Sequence, residues 1–185
     1  MTRNLLWLKK NEQGGIHVLA MGLLAIITLA VVGLASINWG IQTLTISKAK
    51  PLLDQSTRAA ALNIDSNAMV MGLIQWNEAD GKADFYRYLQ LNFRLNENNQ
   101  PLRNSFIATE PVVHVLEFIT ASQYPYSLHR SISLYSGGTK ATIRTVDVTI
   151  YGPSVLAIVE FNRKKLGSSE LEPIVVSSVA SIRHR

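Results

Sequence analysis

The apolar residues of this chain fall into two regimes: one long uninterrupted run near the start, then shorter patterns whose period changes from helical to alternating. From Ile16 to Ile37 there is no acidic or basic residue, and only His17, Thr28 and Ser36 interrupt Leu, Ile, Val, Ala, Met and Gly. A helix of about 20 such residues crosses a hydrocarbon core of roughly 30 Å, whereas a helix buried in a soluble domain rarely stays uncharged on every face for that length. The pattern predicts a transmembrane helix over residues 16–41. A secretory signal has a shorter apolar core, about 7–15 residues, ending at a small-x-small cleavage site. Here Ala35-Ser36-Ile37-Asn38-Trp39-Gly40 makes a poor site, and the run passes into helix-compatible sequence from Ile41 to Leu53.

Beyond the span, polar and apolar residues mix at helical spacing from Thr43 to Ala49. Pro51 lacks an amide donor and is expected to kink or restart the helix. Leu52 to Asn63 is again rich in helix formers. The reading is one long, bent helix from about Gly15 to Asn63, with residues 42–65 extending the span. A second helix fits Ala83 to Leu95, capped by Asp80 or Asp84, with Phe85, Leu89 and Phe93 recurring every fourth residue as a packing face. Asn96-Glu97-Asn98-Asn99-Gln100-Pro101 reads as an exposed loop.

The period then becomes two. Strands are expected at Val112–Thr120, Leu128–Tyr135, Ala141–Tyr151, Val155–Phe161 and Pro173–Ile182, with a glycine hairpin turn at Ser136-Gly137-Gly138-Thr139 and another turn at Gly152-Pro153. Short connections imply an antiparallel meander, so the fold class is α+β. The expected organisation is a cytoplasmic tail over 1–15, the span over 16–41, its extension over 42–65 and an extracytoplasmic α+β domain over 66–185.

Charge sets the orientation. Arg3, Lys9 and Lys10 precede the span with Glu12 the only acid, and basic flanks favour the cytoplasmic side. These are three of 18 basic and one of 13 acidic residues, leaving 15 and 12 from Gln42 to Arg185, too even a balance for a dedicated nucleic-acid surface. The chain has no cysteine, which fits an exported domain without requiring it.

Candidate chemistry is sparse. There is no Gly-x-Ser-x-Gly elbow, phosphate-binding glycine loop or His-Glu-x-x-His pair. His17, His114, His129 and His184 are scattered, and Asp54, Asp65, Asp80 and Asp84 lack the spacing of a calcium loop. Tyr124-Pro125-Tyr126 reads as a surface turn, Arg163-Lys164-Lys165 as a solvated loop between strands, and Arg183-His184-Arg185 as a frayed end. No enzyme activity, cofactor, metal or small-molecule substrate is expected. A helical projection at about 100° per residue gathers Gly22, Ala25, Gly33, Ser36, Gly40, Thr43 and Ser47 on one face, interrupted only by Leu29. Small residues let helix backbones approach closely in lipid, although they are also common in membrane helices generally. Gly22, Ala25, Gly33, Ser36 and Gly40 are therefore the candidate helix-packing residues.

Two segments resemble a known family. Asn11-Glu12-Gln13-Gly14-Gly15, directly before the span, is similar to the charged-residue-then-glycine start of TadE/TadG-like proteins of bacterial tight-adherence (Flp-type) pilus systems. Leu53-Asp54-Gln55-Ser56-Thr57-Arg58-Ala59-Ala60-Ala61-Leu62 resembles the family's alanine-rich second landmark, with Arg58, Ala59 and Ala60 at the matching positions. The resemblance covers about Asn11 to Asn63. It implies a pseudopilin-like or minor structural component of a pilus or secretion apparatus, partnered by other membrane or pilus-assembly proteins or by itself. Processed members carry a glutamate five residues into the mature helix. Counted from Gly14 or Gly15 that position is Leu19 or Ala20, so an uncleaved, anchored protein is expected. A membrane-anchored sensor or ligand-binding module is the alternative from a different class.

Overall fold

The computed structural model describes residues 5–121, 123–136 and 140–182. Its contacts divide the chain into two compact units, Met1–Gln42 and Thr43–Arg185. The first unit consists, among the described residues, of helix α1 (Leu5–Ala61) as far as Gln42; the rest of α1 belongs to the second. Residues 5–15 are helical and continuous with the span. The helix ends at Ala61, short of Asn63. Residues 42–61 extend the first helix, and from Thr43 onward they belong to the C-terminal unit.

Pro51 lies inside α1 without ending it. Pro51 and Ser47 are both exposed, so the Ser47 carbonyl that loses its donor can be solvated. On either side, Ala49 and Leu53 are fully buried and hold the helix in place.

In the C-terminal unit α1 is followed by a short helix α2 (Ser66–Val70), by α3 (Glu78–Phe93) and by five strands: β1 (Val112–Ile119), β2 (Tyr126–Ser136), β3 (Lys140–Ile150), β4 (Ser154–Lys164) and β5 (Leu171–Ser181). Helix α3 begins five residues before the expected Ala83. Its cap is Asn77, whose side chain accepts from the Asp80 amide, and not Asp80 or Asp84. Asp84 instead accepts from Asn63 Nδ2 at 2.9 Å. Arg94, in the left-handed region at φ 54°, closes the helix. As the four-residue spacing predicts, Phe85, Leu89 and Phe93 are buried. The loop from Asn96 to Pro101 is pinned by the Asn96 carboxamide, which accepts from the Asn98 and Gln100 amides.

All strand pairings are antiparallel, but they are not a meander. One sheet has the order β1-β4-β5, and β2 and β3 form a separate hairpin. The expected turn at Gly137-Gly138-Thr139 lies outside the described residues. The reason for the departure sits in β4: Val155 to Val159 are consecutive residues with no exposed surface. An apolar run without alternation belongs to a central strand covered on both faces. Val155, Ala157, Val159 and Phe161 face α1 and α3, while Leu156 and Ile158 face the hairpin residues Leu128, Ile132, Leu134 and Ile150. The unit is thus three layers, helices on sheet on hairpin. Phe93 stacks on Phe161 across the first junction, with ring centroids 4.5 Å apart.

Helix α3 approaches α1 closely at Gly81. A Cβ there would lie 2.8 Å from the Phe118 ring and 3.1 Å from the Ala60 carbonyl oxygen. Gly81→Leu should therefore lower the stability of the unit by about 1–3 kcal/mol through overpacking. Ala83→Leu, on the exposed side of α3, should change it by less than about 0.5 kcal/mol. Urea denaturation of the detergent-solubilised chain measures both, and equal stabilities would show that the close approach is not tight.

Candidate functional site

Among the described residues, one helix is long and apolar enough to cross a membrane, and none of its most apolar window is buried within the protein. Ile16, Leu19, Met21 and Leu29 are each at least 70% exposed. The polar side chains in this stretch are satisfied locally: Thr28 Oγ1 donates to the Leu24 carbonyl and Ser36 Oγ to the Val32 carbonyl, each at 2.8 Å. The helix thus presents lipid-compatible surface with its hydroxyls turned back on its own backbone.

The candidate packing residues all lie on α1. Gly22, Ala25, Ser36 and Gly40 are exposed and Gly33 is half-buried. A Cβ added at Gly22, Gly33 or Gly40 would meet nothing within 4 Å, so among the described residues no neighbour accounts for these glycines. Gly14 and Gly15 do not mark the start of the helix, as their position before the span suggested; both lie inside α1, well past Leu5.

The second motif lies in the C-terminal unit, where its composition has a packing cause. Leu53, Ser56, Thr57 and Ala60 are fully buried, and Ala59 and Ala61 nearly so. Ser56 and Thr57 donate to the carbonyls four residues back. Asp54 is held between Lys50 Nζ at 2.7 Å and Ser178 Oγ at 2.6 Å, tying α1 to β5. Small residues are needed where α1 lies against α3, and Arg58, like Gln55 and Leu62, is an exposed member of the run.

Sequence patterns missed several polar pairs that only the tertiary structure assembles. His114 sits where the β1–β4 register shifts, between Val113 and Val115, and its Nε2 lies 2.8 Å from Oε2 of buried Glu160. With Ser131, Ser133 and Asn162 they line a cleft of about 530 Å³. His129 and Asp147 pair at 2.6 Å across the exposed hairpin face. Arg130 makes a two-pronged contact with Glu117. Arg163, expected in a loop with Lys164 and Lys165, is instead buried in β4 and paired with Glu172 of β5. Among the described residues no group of three or more His, Cys, Asp or Glu is placed to hold a metal ion.

No protein-family model matches the sequence, and comparison with curated proteins and with solved structures gives no match. The roles of the motif residues therefore rest on geometry. Ala60→Leu should cost about 1–3 kcal/mol by forcing a large side chain into the α1–α3 contact. Arg58→Ala should alter stability by no more than about 0.5 kcal/mol. Limited proteolysis of the two variants beside the parent chain separates them. Equal sensitivity would remove the packing explanation for the alanine run.

Proposed function

We propose that this chain is a single-pass membrane protein with a cytoplasmic N-terminus and an extracytoplasmic α+β domain. Its function on this reading is structural: it is a component of a Tad/Flp-type pilus or related secretion apparatus, acting through helix packing and protein–protein contacts. The observation that carries the membrane part is the unburied apolar stretch of α1. So much continuous apolar surface is stable only against lipid or another apolar helix. The pilus assignment is supported by the resemblance of the segments around Gly14-Gly15 and Arg58-Ala59-Ala60 to TadE/TadG-like proteins. Gly22, Gly33 and Gly40, where an added Cβ would meet nothing within 4 Å among the described residues, are the contact points this function requires.

A second reading, a membrane-anchored ligand-binding or sensor module, draws on the cleft at His114 and Glu160. A buried carboxylate beside an imidazole at a strand irregularity is a recognisable polar site.

Orientation is tested by adding protease to spheroplasts. The C-terminal unit should be digested, and its complete protection would overturn the assignment. The assembly function is tested on the helix. Gly33→Leu and Gly40→Leu keep the span apolar, so insertion should survive. Crosslinking to partner membrane proteins should fall about ten-fold, the change that a loss of roughly 1.4 kcal/mol of association free energy brings. Leu24→Ile and Leu34→Ile, off the stripe, should leave crosslinking intact. Equal association of all four variants would mean that the stripe is not the contact.

A further inference from the structure

Among the described residues β5 is an outer strand of the three-stranded sheet and is bonded only to β4. Its outward-facing backbone groups follow from the register. β4 and β5 pair without a bulge from Ser154↔Ser181 to Lys164↔Leu171. One step beyond, the Ile182 amide donates to the Pro153 carbonyl at 3.0 Å. In an antiparallel ladder, opposite residues alternate between pairs that exchange hydrogen bonds and pairs that do not. Ile182, Ala180, Ser178, Val176 and Ile174 thus form the bonded set. Pro173, Val175, Ser177, Val179 and Ser181 form the other, with their N–H and C=O groups pointing away from β4. Three facts agree with this parity. Pro173, which has no N–H, falls where no ladder bond is lost. The Ser177 carbonyl accepts from Lys50 Nζ of α1 at 2.8 Å. The Ser154 and Ser181 hydroxyls approach to 2.8 Å, as the closer spacing of a non-bonded pair allows.

This edge is blunted unequally. Pro173 removes one donor and Lys50 occupies one acceptor. No hydrogen bond from another element reaches the backbone of Val179 or Ser181 among the described residues. These two residues border a groove of about 720 Å³, with Arg58, Ala61, Leu62 and Ile64 along its other side. Leu62 is 82% exposed, and Arg58 makes no ion pair among the described residues. Among the described residues the groove therefore offers open strand backbone, an apolar wall and one positive charge without an ion pair.

We propose that this groove receives an extended, acidic segment of a partner protein, which adds a strand beside Val179–Ser181 and sets a carboxylate against Arg58. Strand addition draws affinity from main-chain hydrogen bonds and specificity from the side-chain positions beside them. A guanidinium is the donor best matched to a carboxylate, through two parallel hydrogen bonds. The site belongs to the C-terminal unit alone, so it goes beyond the proposed function and holds whether or not α1 crosses a bilayer.

The test uses the full chain in detergent micelles and a synthetic probe, an N-acetylated hexapeptide of alternating valine and threonine ending in aspartate. The control is the same peptide ending in lysine amide. The aspartate peptide should bind in preference and slow hydrogen–deuterium exchange at the Val179 and Ser181 amides. Arg58→Glu changes an exposed side chain; it should weaken that binding about ten-fold or more and shift preference to the lysine peptide. Absence of binding, equal affinity for the two peptides, or protection at another strand in place of β5 would each overturn the proposal. The parent chain's exchange pattern decides the matter alone if Arg58→Glu does not fold.

Discussion

Val155, Leu156, Ala157, Ile158 and Val159 follow one another in β4 with no exposed surface, and a strand with apolar side chains on both faces needs cover on both. The two covers differ in kind. On one face α1 and α3 supply Leu53, Ala60, Phe85, Leu89 and Phe93; on the other, the β2–β3 hairpin supplies Leu128, Ile132, Leu134 and Ile150. The sheet edges then fall to β1 and β5, and the hairpin is released from extending the sheet so that it can lie across it. The Arg130–Glu117 pair joins the hairpin to β1 and follows from the layering, whereas His114–Glu160 links neighbouring strands within the sheet.

Helix α1 meets two environments with one backbone. In both, hydroxyl side chains donate to the carbonyl four residues back: Thr28 and Ser36 in the apolar stretch, Ser56 and Thr57 in the protein core. A hydroxyl set among apolar side chains or in a protein core is satisfied by an acceptor within its own helix. What separates the two stretches is side-chain size. The first carries Leu, Ile, Val and Met outward, while the second narrows to alanine where a Cβ on Gly81 of α3 would lie 3.1 Å from the Ala60 carbonyl oxygen.

The alanine run and the glycine stripe look alike as composition and are physically distinct. Around Ala59 and Ala60 the neighbours are present and explain the small residues. At Gly22, Gly33 and Gly40 an added Cβ would meet nothing within 4 Å among the described residues, so packing within the described chain does not explain their size. Their proposed role in assembly rests on that contrast together with the family resemblance.

The sequence alone determined the elements whose pattern is local. The apolar run without charge, the four-residue spacing of Phe85, Leu89 and Phe93, and the alternation through β2 and β3 each reflect the period of a single element. The α+β class followed from their order. Pairing did not, because short connections permit a meander and a stacked hairpin equally, and the choice depends on which faces need burial. The clue was present in the unbroken apolar run of β4, but its meaning depends on two covers that come from distant parts of the chain. The candidate sites divide in the same way. Gly22, Ala25, Gly33, Ser36 and Gly40 share a face by helix geometry alone. His114 meets Glu160, Arg163 meets Glu172, and Arg58 meets the free end of β5 only after folding, since residues far apart in the chain become neighbours through tertiary packing, which no local period encodes.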